Sequence, residues 1–104
     1  MTSLTFDRYQ EFTKSTAIYD HFLYPVLGLA EEAGEVAGKY AKAVRDNTDF
    51  PVEDIKKELG DVLWMLTRVC DDMGFTLQEV AELNRDKLMS RQQRGTLGGS
   101  GDDR

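Results

Sequence analysis

The sequence predicts an all-α fold, a four-helix unit, on three observations. Apolar residues recur at spacings of three and four along most of the chain, helix-capping residues stand at the segment ends, and no run alternates as a strand would. The 104 residues fit one small domain.

Thr5 is placed to cap a first helix whose apolar positions are Phe6, Tyr9, Phe12 and Tyr19. Asp20 to Pro25 is aromatic and irregular, and Pro25 suits the first position of a second helix, where its missing N–H costs nothing. That helix runs from about Val26 to Arg45, with Leu29, Ala33, Val36, Tyr40 and Val44 on one face. Asn47 to Pro51 breaks it. A third helix runs from about Glu53 to Met73 and stops at Gly74. Thr76-Leu77-Gln78-Glu79 is a capping box opening a fourth helix that carries Val80, Leu83, Leu88 and Met89. Residues 1–94 thus form the domain, and the glycine-rich tail 95–104 is expected to be flexible or ordered by a ligand.

Thirteen basic against 19 acidic residues give a net charge of −6. This is the wrong sign for a duplex nucleic-acid binder, which draws most of its affinity from phosphate neutralisation. An anionic small substrate stays compatible if bound cations mask the local acids. Cys70 is the only cysteine, so neither an intrachain disulfide nor a cysteine-rich zinc site forms, and a cytoplasmic location is expected. No signal peptide and no membrane segment are read, because no apolar run approaches the roughly 20 residues of a spanning helix. A chain this short buries a modest share of its surface, which favours self-association.

Two acidic segments carry the chemistry: Glu31-Glu32-Ala33-Gly34-Glu35 and Glu58-Leu59-Gly60-Asp61. Helical spacing puts Glu32 and Glu35 on one side, Glu58 and Asp61 on another, and Glu31 at the edge of the first pair. Like charges so spaced call for a compensating cation. Glu58 falls inside the arc of Val62, Met65, Leu66 and Val69, and a charge aimed at apolar neighbours is costly unless paired or metal-bound. An all-oxygen donor set suits Mg2+, with Mn2+ as a substitute. Gly34 and Gly60, inside these segments, are read as points of close backbone or ligand approach. Either acidic segment alone is more often a solvated helix face. Their pairing on consecutive helices, one aimed inward, favours the metal site.

Gly28 to Val36, followed by Glu58-Leu59-Gly60-Asp61-Val62-Leu63-Trp64, resembles the MazG-like nucleotide pyrophosphohydrolases of the all-α NTP pyrophosphatase group, with their EExxE then ExxD signature. The likeness extends into Asn84-Arg85-Asp86-Lys87-Leu88. The resemblance implies a four-helix unit assembled as a homodimer or homotetramer. The implied activity converts a nucleoside triphosphate and water to the monophosphate and pyrophosphate. Glu32, Glu35, Glu58 and Asp61 become magnesium ligands, with Glu31 as an auxiliary ligand or water-orienting group. Magnesium then screens the triphosphate and polarises its α-phosphoryl group. The proton of the attacking water goes to Glu31, Glu32 or Glu35, among which sequence does not choose.

Phosphate partners should be basic: Lys39, one turn after Glu35, and Lys87, Arg91 and Arg94 on the last helix. Ordinary surface ion pairing is the alternative for each. Asn84 either reads a base edge or faces solvent. His21 reads as structural, Cys70 as core, and Trp64 as a contact for a partner subunit or the base. Two further functions stay open: a non-catalytic helical interaction module, and a nucleotide or alarmone sensor without turnover.

Overall fold

The Thr5 side chain does cap the first helix, accepting the Arg8 N–H at 3.1 Å. A computed structural model describes residues 2–104. It contains α1 (Phe6–Thr13), α2 (Leu23–Asp46), α3 (Val52–Met73) and α4 (Leu77–Arg94), with a short 3-10 turn at Lys14–Thr16 between the first two. No strand occurs among the described residues. Among them, too, no helix is long and apolar enough to cross a membrane.

The helix ends follow local chemistry. α2 starts two residues before Pro25, which still lies among the first-turn positions whose N–H groups have no helical partner. The His21 imidazole Nδ1 accepts the Leu23 N–H at 3.1 Å, so this histidine supports the start of the helix. Asn47, left-handed at φ 53°, ends α2, and the Thr48 N–H returns to the Ala43 carbonyl at 3.0 Å. Gly74 at φ 85° ends α3. Thr76 Oγ1 then accepts the Glu79 N–H at 3.0 Å to open α4.

Helices α2 and α3 form an antiparallel hairpin, and α4 packs on α1 and α3. Gly28 marks the closest approach of the hairpin: a Cβ there would lie 2.5 Å from Met65 Sδ. At Gly34 and Gly60 a Cβ would meet no atom within 4 Å, so neither is a point of close backbone approach. The buried line of α2 runs through Pro25, Gly28 and Ala43. The stripe predicted from sequence lies at the edge of this contact instead: Leu29 and Val36 are half-buried, and Ala33, Tyr40 and Val44 are exposed. Small residues win the contact because they let two backbones approach.

α1 ends at Thr13, so Tyr19 is not on it, contrary to the sequence pattern. Tyr19 sits in the following loop and stacks on Tyr24. Trp64 is engaged within the chain: its indole Nε1 donates to Thr16 Oγ1 at 2.8 Å and its ring meets Tyr19 edge-on. Cys70 is core, at 1% exposure.

The interior is as polar as it is apolar. Gln10, Thr13, Thr67 and Arg68 are buried beside Ala43, Ile55, Met65, Cys70 and Leu77. The Arg68 guanidinium donates to Asp71 at 2.9 Å, Asp72 at 3.0 Å, the Tyr19 hydroxyl at 3.0 Å and Thr13 Oγ1 at 3.3 Å. Gln10 donates to Asp71 and to the Phe75 carbonyl, and accepts the Leu77 N–H at 2.8 Å. Lys14 closes the set on Asp71 at 2.7 Å. This network fastens α1 and the loop after it to α3 and the α3–α4 turn. Burial works against the Asp71 charge, but the bonds from Lys14, Gln10 and Arg68 outweigh it and hold this carboxyl below its usual range.

The C-terminal segment 95–104 lies against α4. Arg91 Nη2 donates to the Asp102 carbonyl at 2.8 Å, and Arg94 Nη2 to the Arg104 carbonyl at 2.7 Å. The radius of gyration is 16.8 Å, against about 13 Å for a closed domain of this length. Many large apolar side chains stay outside, Ile18 at 96%, Leu83 at 73% and Val44 at 71% among them.

Removing the Arg68 guanidinium leaves two carboxylates without their shared partner. Arg68→Ala should therefore cost about 3–5 kcal/mol, read as a fall in the denaturation midpoint. Because the Asp71 carboxyl is held low, its contribution is complete above the unfolded-state value of about 4 and is lost as pH falls through the folded one. Acid titration of Asp71→Asn should accordingly be flatter than that of the parent chain.

Candidate metal centre

The hairpin register assembles the carboxylates. One turn beyond Gly28 on α2 is Glu32, and one turn before Met65 on α3 is Asp61. A second turn outward on each helix reaches Glu35 and Glu58. With the helices antiparallel and closest at Gly28, these residues meet in pairs. Carboxylate oxygens of Glu32, Glu58 and Asp61 lie within 4.8 Å of one another, as do those of Glu31, Glu32 and Glu35. Glu32 belongs to both triads.

Glu32 and Glu58 are half-buried, whereas Glu31, Glu35 and Asp61 are exposed. Glu32 Oε2 and Glu58 Oε2 are sealed from solvent with no hydrogen-bond partner. Burial, and then the charges of Glu35, Asp61, Glu58 and Glu31, push the Glu32 carboxyl up. Burial and the adjacent Glu35 carboxylate do the same to Glu58, with Lys39 pulling the other way. Buried acceptor-only oxygens facing one another fit a hard divalent cation: a cation satisfies both orphaned atoms and cancels the repulsion. All five acidic residues picked out from the sequence are thus in one place.

Their basic companions divide. Lys39 borders a cleft of about 300 Å3 with Glu35, Gly38, Lys42 and Glu58. Asn84 is exposed on α4. Lys87, Arg91 and Arg94 are bound by oxygen atoms of the chain's own C-terminal segment.

Two neighbours escaped the sequence reading. Lys42 follows Lys39 by three residues and lines the same cleft, a spacing that was available to see. Tyr9 is pushed up first by burial and then by the charge of Asp61, so α1 reaches the edge of the cluster. With Leu4, Thr5, Phe6 and Leu63 it lines an apolar cleft, also of about 300 Å3. Nothing in the sequence announced this, because it depends on how α1 crosses α3.

The raised carboxyls set a sign. Their contribution to stability is complete below the unfolded value of 4.5 and is lost as pH rises through the higher folded value. Without divalent cations, the melting midpoint should thus lose this contribution as pH rises above 4.5 and through the folded values. Magnesium at a hundredfold excess over its dissociation constant should restore about 2.7 kcal/mol at neutral pH and less in acid, where protons compete. A magnesium-induced shift that is equal at both pH values would contradict the assignment.

The matching family model, the MazG nucleotide pyrophosphohydrolase domain, spans residues 23–96. The Gene 37 protein of Mycobacterium phage L5 is 37% identical over 111 residues, covering 94% of this chain and 97% of that protein. No solved structure matches the chain.

Proposed function

The chain belongs to the MazG nucleotide pyrophosphohydrolase family, and on that premise we infer that it hydrolyses a nucleoside triphosphate, with magnesium, to the monophosphate and pyrophosphate. The observation that carries this reading is the pair of carboxylate triads sharing Glu32, with two buried oxygens that have no partner. A divalent cation would satisfy these two oxygens and offset the repulsion among the acids.

In this reading Glu32, Glu35, Glu58 and Asp61 hold the metal. Bound magnesium supplies charge screening of the triphosphate and polarisation of its α-phosphoryl group. Glu32 is shared by both triads and Glu35 lies against Glu58, which leaves exposed Glu31 free to take the proton of the attacking water. Lys39 and Lys42 face phosphate oxygens from the rim of the cleft. The apolar cleft beside Asp61, with Phe6 and Tyr9, is the adjoining surface for a nucleobase. Lys87, Arg91 and Arg94 supply further phosphate contacts, and Asn84 a base-edge contact, from α4.

Assembly as a homodimer or homotetramer belongs to the same proposal. Its support is the loosely packed shape and the outward apolar side chains, since a monomer seldom leaves so much apolar surface in water. Light scattering should give at least twice the 11.8 kDa chain mass. A monomer at micromolar concentration would refute this part.

The activity is tested by incubating the protein with each ribo- and deoxyribonucleoside triphosphate plus magnesium and resolving the products. Monophosphate and pyrophosphate are expected. Orthophosphate with diphosphate, or no turnover at all, would sink the reading, and tight nucleotide binding without product would point to a sensor. Glu58→Ala and Asp61→Ala should each lower kcat/KM by more than the roughly 10–100-fold that loss of a supporting group costs a metal site, with helicity retained.

A further inference from the structure

Three cations on α4 are engaged by one short segment. Lys87 Nζ donates to Asp102 Oδ1 at 3.1 Å. Arg91 Nη2 donates to the carbonyls of Asp102 at 2.8 Å and Gly101 at 3.4 Å, and lies 3.6 Å from the Asp102 carboxylate. Arg94 Nη2 donates to the Arg104 carbonyl at 2.7 Å. These are carboxylate and carbonyl oxygens gathered around one lysine and two arginines. Phosphate oxygens make the same demands on the same donors.

The site is built rather than superficial. Arg91 is only 4% exposed, and its Nε–H is sealed from solvent with no acceptor. Thr96 Oγ1 is likewise buried without a partner. The Arg91 guanidinium under the segment is therefore not fully used by it. Gly99 at φ 101° and Gly101 at φ 85° let the chain reverse over the helix, in backbone that other residues rarely adopt.

The geometry points to an oxyanion site at Lys87, Arg91 and Arg94 that residues 95–104 occupy from within, Asp102 standing in for phosphate, so that an incoming di- or triphosphate displaces the segment. This rests on the reading that the α4 cations contact substrate phosphate. Displacement is favourable for two physical reasons. The Asp102 side chain is 85% exposed, so its ion pairs contribute little, and a glycine-rich segment loses much conformational freedom when held. A polyphosphate carries several negative charges where Asp102 carries one. Lys87 beside Asp102 holds that carboxyl below its usual range, so the internal anion is charged at neutral pH.

The test is a calorimetric titration of the full chain with inorganic pyrophosphate, at low salt and with a chelator present so that the carboxylate cluster is metal-free. Asp102→Ala should bind pyrophosphate more tightly than the parent by roughly fivefold. Asp103→Ala removes the same charge from a neighbour with no bond to α4 and should match the parent. In the 15N-labelled parent chain, amides of residues 98–103 should become mobile as pyrophosphate binds. No pyrophosphate binding, equal affinity in Asp102→Ala and parent, equal tightening in Asp103→Ala, or tail amides that stay ordered would each overturn the proposal. These readouts need no turnover. If they hold while no nucleotide is hydrolysed, the catalytic reading falls and the internal anion stands. If hydrolysis is found but Asp102→Ala binds as the parent does, only the internal anion falls.

Discussion

The contact between Gly28 and Met65 sets the spacing on which the rest of the molecule depends. A side chain at position 28 would overlap the Met65 thioether, so the absence of one lets α2 and α3 run close together. Register follows from the same contact. Equal steps outward along the two antiparallel helices bring Glu32 to Asp61 and Glu35 to Glu58, and these four, with Glu31, make the overlapping triads. Wider helices would leave the same acids as two separate, hydrated faces. Close packing turns them into one strained group with oxygens that water cannot reach.

A hairpin alone has little interior, and this chain completes it with polar connections. The buried apolar set is small, and Arg68 and Gln10 carry much of the tertiary attachment of α1 and the α3–α4 turn. Directional bonds of this kind specify where α1 sits better than a few methyl groups could. That position has a chemical consequence, because α1 places Tyr9 beside Asp61 and forms the wall of the apolar cleft there. The outward apolar side chains of α2 and α4 are the complement of this economy. In the proposed assembly, they are the surfaces a second chain would cover.

Charge is divided between two regions. The carboxylate group lies on α2 and α3, with Lys39 and Lys42 at its rim. The strongest cationic group lies on α4, which packs on α1 and α3, and its charges meet oxygens of the chain's own end.

Much of the fold and the whole acidic set were legible in the sequence, because both rest on local rules. Capping at Thr5 and Thr76, the stop at Gly74 and the three- and four-residue spacing of Glu32, Glu35, Glu58 and Asp61 are consequences of helix geometry over a few residues. The sequence by itself determined that the chain forms four helices, where most of them stop, and which acids share a helix face. Only the tertiary structure decided which stripe of α2 is buried, that Gly28 rather than Gly34 or Gly60 is the close contact, and that Trp64 is used within the chain. It also decided that Arg68 gathers Tyr19, Thr13 and two aspartates, and that the α4 cations hold the C-terminal segment. The reason is physical: periodicity fixes how side chains are arranged around one helix, whereas these contacts depend on the distance and crossing of two, which small residues and long polar side chains set together.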